Sequence, residues 1–196
     1  MGEGLATGSS GWLVDFVRID LQRMRAQTNQ MTNNDILRRI RYILDFDDMK
    51  MIETFAMADI EIRRGHIFSW LLKEEEHSYQ ECNDKMLATF LNGLISMKRG
   101  KKKGLQPKPE NSLTNNLILK KLKIALNLQS EDIIEILALS DFELSAPELS
   151  SFLRKPGHRN YRICKDQVLR NFLMGLQIKL RDKEKKRPSS IWPSRD

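Results

Sequence analysis

The feature that most constrains this chain is a repetition: residues 32–99 recur, without a single gap, as residues 114–181. The same register superposes Thr32-Asn33-Asn34 on Thr114-Asn115-Asn116, Leu37 on Leu119, Leu44 on Leu126, Ile52-Glu53 on Ile134-Glu135, Asp59 on Asp141 and Glu61 on Glu143. It holds through Ser69/Ser151, Lys73/Lys155, Tyr79/Tyr161, Cys82/Cys164, Asp84/Asp166, Phe90/Phe172, Gly93/Gly175 and Arg99/Arg181. Other positions exchange one apolar residue for another, as in Ile40/Leu122, Phe55/Leu137, Ile62/Leu144 and Trp70/Phe152. An ungapped match preserves loop lengths as well as core positions, so both copies are expected to follow one backbone plan. A unit of about 70 residues buries only a marginal core by itself, which predicts that the two copies pack together.

Each copy reads as four helices. In the first, Ile36, Leu37, Ile40, Ile43 and Leu44 fall on one face at helical spacing, with Arg38, Arg39 and Arg41 around the rest of the circumference. The second copy repeats this with Ile118, Leu119, Leu122, Ala125 and Leu126 against Lys120, Lys121 and Lys123. Asn33-Asn34 are the candidate caps for this helix, and Asp47-Asp48 and Ser130 those for the next, which carries Met51, Ile52 and Phe55 or Ile133, Ile134 and Leu137. A short turn then leads to a third helix ending near Trp70-Leu71 or Phe152-Leu153, with Pro147 suited to its first turn. The fourth helix contains Gly93 or Gly175. Glycine costs about 1 kcal/mol relative to alanine inside a helix, so its presence in both copies predicts a close helix crossing. The expected fold is all-α: two homologous four-helix units related by a pseudo-two-fold axis, each with a helix-turn-helix-like segment.

Outside the repeat, residues 1–31 are a Gly/Ser-containing extension expected to be disordered or to reflect a mis-assigned start, residues 100–113 a basic, flexible or extended linker, and residues 182–196 a disordered basic tail. The net charge of +7 is unevenly spread: the first copy holds ten basic against twelve acidic side chains, the second eleven against seven. With no apolar run long enough to span a membrane and no secretory signal, a cytoplasmic protein is expected. Cys82 and Cys164 occupy equivalent positions, so they report the duplication, and buried thiols are expected in place of a disulfide or metal site.

Two stretches point to ligands. Residues 48–72 have the layout of a helix-turn-helix, whose second helix offers Arg63, Arg64 and His66 in the first copy but Ser145, Ala146 and Glu148 in the second. Their turn reads one residue longer than the motif has. The loop after the third helix is acidic in the first copy, Lys73-Glu74-Glu75-Glu76-His77-Ser78-Tyr79, and basic in the second, Lys155-Pro156-Gly157-His158-Arg159-Asn160-Tyr161-Arg162. Gly157 permits close backbone approach, and Arg159 and Arg162 suit phosphate or carboxylate. The plain alternative is that this loop pairs with its acidic counterpart or is simply solvated. The three histidines are non-equivalent and lack partners at diagnostic spacing, and phosphate-cradling glycine loops and helical metal pairs are missing, which favours binding over catalysis.

The strings Asn33–Tyr42, Phe90–Ile95 with Lys98–Lys102, and Arg154–Arg162 resemble the YehS-like family of bacterial proteins, which carry two tandem copies of a domain of unknown function. The likeness spans Met31 to about Arg181 and implies that family members begin near Met31. It implies no activity, cofactor or site residue. The expected role is therefore a non-enzymatic binding or regulatory protein, with DNA or RNA as the leading ligand class and a protein-interaction adaptor as the alternative, using an acidic first copy and a basic second one. Candidate contacts are Arg38, Arg39, Arg41, Arg63, Arg64, Lys120, Lys121, Lys123, Lys155, His158, Arg159 and Arg162; no cofactor or metal is expected, and oligomeric state is not legible.

Overall fold

Most helix starts among the described residues are set by side chains that satisfy free backbone N–H groups; those after Arg63 and Lys165 lack such a bond. A computed structural model describes residues 31–101, 104 and 107–182. Helix α1, Asn33–Leu44, begins after Thr32, whose hydroxyl accepts from the Asp35 N–H while the Asp35 carboxylate accepts from the Thr32 N–H at 3.1 Å. Its counterpart α5, Asn115–Ala125, begins after Thr114, which accepts from the Leu117 N–H at 3.3 Å. The asparagines expected to be caps are not caps. Asn33 and Asn115 instead donate to Asp84 and Asp166, at 2.7 and 2.6 Å, tying the first helix of each copy to the start of the fourth.

Helix α2, Asp48–Ala56, is capped by Asp47. Helix α6, Ser130–Ala138, starts after Gln129, whose N–H is taken by Asp132 at 2.7 Å, so Ser130 lies inside the helix and does not cap it. Helices α3, Arg64–Leu71, and α7, Ala146–Leu153, follow; Ser145 and Glu148 form a capping box on α7, with Pro147 in its first turn as expected. Helix α4 is Asp84–Arg99, and α8 is Asp166–Gln177, continued by a π-turn at Ile178–Asp182. No strand occurs among the described residues. The left-handed residues also come in matched pairs, Asp45 with Asn127 and Asp59 with Asp141, all types that tolerate positive φ.

Within each copy the second helix packs on the third and fourth, and the first packs on the third. Between copies the pairing is reciprocal: α1 lies on α8, and α5 lies on α4. First helix against the other copy's fourth, twice over, is a pseudo-two-fold arrangement, so the fold expected from the repeat is the fold found. Matched side chains fill it, with Leu37, Phe55, Phe90 and Leu91 fully buried beside Leu119, Leu137, Phe172 and Leu173. The end of α8 is clasped to α1 by Arg181, which bonds Asp45 at 2.6 Å and lies over the Tyr42 ring. The linker is irregular over residues 107–113, with a bend at residues 111–112, and is fastened to α4 and α5. The Pro107 carbonyl accepts from Asn92 at 3.2 Å, Glu110 meets Lys121 at 2.9 Å, and the Leu113 N–H donates to Asp84 at 2.8 Å. Residues 1–30 and 183–196, on which the expectations for the extension and tail fall, lie outside the described residues. No described helix is long and apolar enough to cross a membrane.

The conserved plan hinges on the two helical glycines. A Cβ at Gly93 would overlap the Thr54 carbonyl of α2, and one at Gly175 would overlap the Ile136 carbonyl of α6. These are backbone atoms and cannot rotate away. Helix propensity alone predicts that Gly93→Ala stabilises by about 1 kcal/mol; the crossing predicts a loss of about 1–3 kcal/mol from overpacking. Thermal or urea unfolding of Gly93→Ala and Gly175→Ala decides, and a raised midpoint would refute the close approach.

Candidate anion-binding face

The loops at residues 72–83 and 154–165 differ in composition but share two successive turns each, at Lys73–Tyr79 and Lys155–Tyr161, and are fastened to the helices by one buried amide in each copy. Asn34 donates to the carbonyls of Trp70 and Gln80, at 2.9 and 2.8 Å, and accepts from the Cys82 N–H at 2.9 Å. Asn116 does the same with Phe152 and Arg162, at 2.9 and 2.7 Å, and with Cys164 at 2.9 Å. Each asparagine thereby joins the first helix, the end of the third helix and the loop. The loop backbones match further: the Gln80 and Arg162 N–H groups each donate to a serine carbonyl of the third helix, Ser69 or Ser151. On this common frame the second copy displays Lys155, His158, Arg159 and Arg162, all exposed, around Gly157 at φ +87°.

The first-copy candidates are mostly committed elsewhere. Arg38 donates to the Leu72 carbonyl and to Asp35 at 2.6 Å, and Arg41 to the Phe46 carbonyl and Asp48. Burial alone would raise the Asp35 carboxyl, but its bonds from Thr32 and Arg38 outweigh that and hold it below the ordinary value. Arg64 pairs with Asp48 at 2.9 Å. Arg39 is half-buried and Arg63 exposed, and neither forms an ion pair among the described residues. In the second copy, Lys121 was expected on the open side of its helix and is instead 7% exposed, held by Asn92 and by Glu110. The Glu110 oxygen lies 2.9 Å from the ammonium but off any N–H direction, so this is an ion contact without a directed hydrogen bond. Lys123 donates to the Leu128 carbonyl.

In the second copy Lys120, Lys155 and Arg159 form no ion pair among the described residues, and Lys120 and Lys155 border one hollow; the charge of Arg162 adds slightly to the two bonds from Ser145 that hold the Glu148 carboxyl low. Arg154 approaches the His158 ring at 3.1 Å, while the Asn160 N–H donates to the other ring nitrogen. A neutral imidazole has one lone pair in its plane, so the two contacts cannot both be hydrogen bonds at once. No ion pair joins the basic loop to the acidic one among the described residues, although Glu74 and Glu75 are exposed.

Sequence reasoning missed Arg154 and Tyr161, which with Lys120, Lys155, Leu117 and Pro156 border a hollow of about 280 Å³ beside α5. The signal was present in the copy comparison: Asp35 and Glu74 are matched by Leu117 and Pro156. A wider, open depression of about 560 Å³ in the first copy holds His66 and His77 with Arg63 and Tyr79. His66 stacks on Trp70 at 5.9 Å. No cluster of three or more metal-ligating side chains occurs among the described residues. Both cysteines are free and buried, and burial pushes each thiol up to about 12, so neither is a nucleophile at neutral pH.

A family model described as "Protein of unknown function (DUF1456)" matches residues 33–100 and again residues 115–182. The chain belongs to this family. It is also 44% identical over 147 residues to "Uncharacterized protein YehS" of Escherichia coli (strain K12), an alignment covering 74% of this chain and 94% of that protein. No solved structure matches the chain. Each family domain thus corresponds to one four-helix unit with its asparagine-held loop, and the two domains of the chain differ in the charge that the loop carries.

Two outcomes test the frame. Asn116→Ala leaves two carbonyls and an N–H unpaired and is expected to cost about 3 kcal/mol or more in urea unfolding; Asn116→Asp should cost at least as much, since it turns a carboxylate on two carbonyl oxygens. An unfolded thiol loses its proton near 9 and the folded ones near 12. Their contribution is therefore present below pH 9 and lost as pH rises towards 12, by about 1.4 kcal/mol per thiol per pH unit. The Cys82→Ala/Cys164→Ala variant should show a shallower alkaline loss than the parent; identical slopes would contradict buried, protonated thiols.

Proposed function

We propose that this protein binds nucleic acid, with the phosphates met by the loop and first-helix face of its second domain. The observation that carries the reading is the contrast between copies. In the first domain Arg38, Arg41 and Arg64 are neutralised by Asp35 and Asp48, leaving Arg39 and Arg63 of its candidate contacts without an ion pair, whereas Lys120, Lys155 and Arg159 of the second have no carboxylate partner among the described residues. Unpaired cations on one face raise the local potential and attract a polyanion, and counterion release then makes binding strongly salt-dependent. The helix-turn-helix-like pairs support this less: Arg64 is tied to Asp48, and α7 presents Glu148 where α3 has His66. The connections at residues 57–63 and 139–145 are also longer than the three or four residues of the DNA-reading motif.

A protein-interaction adaptor is the second reading, supported by the exposed acidic side chains Glu74 and Glu75 and by Ile163, 72% exposed within the basic loop. The two are separated by fluorescence anisotropy with labelled DNA and RNA oligonucleotides at low salt. Nucleic-acid binding is expected to fall steeply between 50 and 200 mM salt, by on the order of tenfold or more for a few phosphate contacts. Arg159→Glu/Arg162→Glu is expected to weaken it at least tenfold without shifting the melting temperature. Absence of any binding at low salt would reject the reading, and unaltered binding by the double variant would remove the loop from it.

A further inference from the structure

We propose that the hollow beside α5 is a seat for one unstacked base of a single-stranded nucleic acid, with Lys120, Arg154 and Lys155 on the flanking phosphates. This rests on the nucleic-acid reading and narrows it from any polyanion to a strand whose bases are free.

The argument begins with what the same place looks like in the first copy. There Asp35 holds Arg38 at 2.6 Å, and the same guanidinium donates to the Leu72 carbonyl, so a closed ion pair covers the junction of the first helix and the third. In the second copy every element of that closure is replaced. Leu117 stands in place of Asp35 and removes the carboxylate; Lys120 stands in place of Arg38 and is exposed with no bond among the described residues; Arg154 replaces Leu72; Pro156 replaces Glu74. Two negative charges are gone, one positive charge is gained, and an apolar surface is uncovered. A solvated surface would have no need for changes that all run in one direction.

What is uncovered has the mixed chemistry of a nucleotide. Leu117, Leu153, Pro156, the buried Phe152 and Tyr161 line the hollow together with the cations Lys120, Arg154 and Lys155. Nucleobases pack on apolar and aromatic surface regardless of sequence, while the backbone takes positive charge. The volume, about 280 Å³, lies at the small end of ligand sites and suits one base-sized unit, not an extended cofactor. A duplex keeps its bases stacked inside and can offer the cations only phosphates, leaving the apolar lining unused. The seat is also stiff: Asn116 bonds the carbonyls of Phe152 and Arg162 on either side of the loop, so little ordering is left for the ligand to induce. Beyond Lys120 and Leu117, which belong to both, lies a second hollow of about 500 Å³ bordered by Arg99, Ile95 and Ile124. A cation on a ridge between two apolar hollows reproduces the base, phosphate, base alternation of a strand.

The test uses the full chain and labelled 12-mers: oligo(dT), oligo(U) and a mixed-sequence DNA duplex, read by anisotropy at one salt concentration. Single strands are expected to bind at least tenfold more tightly than the duplex. Leu117→Asp/Lys120→Arg, which rebuilds the first copy's closing pair, is expected to remove that advantage while duplex binding stays within about threefold. Should this variant melt below the parent, Tyr161→Ser, which removes an aromatic lining residue and no charge, serves instead, with the same expectation for single strands and duplex. Equal affinity for single strand and duplex, or an unchanged preference in the folded variant, overturns the base seat while leaving the phosphate-binding face intact. Failure of all three oligonucleotides to bind removes the nucleic-acid reading itself, and the seat with it.

Discussion

One buried amide per copy fixes the geometry on which everything else depends. The loop between the third and fourth helices is long, polar and different in each copy, and its own turns at Lys73–Tyr79 and Lys155–Tyr161 do not by themselves tie it to the first helix. Asn34 and Asn116 supply what the loop lacks. Their three polar groups are matched to two carbonyls and one N–H, so every atom that the amide brings into the interior is satisfied. Leucine at that site would strand three backbone groups, and aspartate would set a charge against two carbonyls. The amide is the side chain that carries both donors and an acceptor within that reach. Because the clasp acts on backbone atoms, the loop's side chains can change without disturbing it. That separation between frame and display allowed Glu74-Glu75 in one copy and Pro156-Gly157 in the other.

The glycines do for the helices what the asparagines do for the loops. Gly93 and Gly175 bring α4 onto α2, and α8 onto α6, at backbone contact, which draws the fourth helix deep enough that Phe90, Leu91, Phe172 and Leu173 are fully buried. With its own domain covering one side, the fourth helix has its remaining surface free for the first helix of the other copy. The reciprocal packing of α1 on α8 and α5 on α4 therefore follows from the intra-copy crossing. Neither unit needs to be stable alone, which is consistent with the small core that about 70 residues can enclose.

How much of this was legible in the sequence depends on whether the signal was periodic or relational. The eight helices, the Pro147 start and the glycine crossing are periodic or local features and were readable, because helical spacing and the cost of glycine are properties of short segments. The roles of Asn33, Asn34 and their counterparts were misread. At a helix start an asparagine is a good cap by local rules, and only the fold reveals that Thr32 and Thr114 already occupy that position. Lys121 was misread for the same reason: a lysine on a helix circumference looks solvated until a neighbouring copy and the linker supply Asn92 and Glu110. Of the candidate cations, sequence could name them but could not tell which had carboxylate partners, since Arg41 with Asp48 and Arg64 with Asp48 are separated along the chain and joined only by folding.

The pseudo-symmetry turns those pairings into an argument about divergence. Two junctions of identical topology began from equivalent residues, so any asymmetry between them must lie in side chains. At the α1 and α8 junction Arg181 reaches Asp45 and covers Tyr42, leaving a closed surface. At the α4 and α5 junction the equivalents are Arg99, Asn127 and Ile124: the carboxylate has become an amide and the aromatic ring an aliphatic one. Arg99 is exposed and unpaired among the described residues, and Ile124 is 45% exposed. The missing carboxylate at Asn127 parallels those at Leu117 and Pro156, all three in the second copy, where the first has Asp45, Asp35 and Glu74. Around this junction Lys120, Arg99 and Lys155 carry their charge while the acidic counterparts Asp35, Asp45 and Glu74 are replaced, even though the second copy elsewhere exchanges Arg63, Arg64 and Lys98 for Ser145, Ala146 and Leu180. The replacement of carboxylates is therefore local to this junction, and it leaves Lys120, Arg99 and Lys155 without internal neutralisation among the described residues.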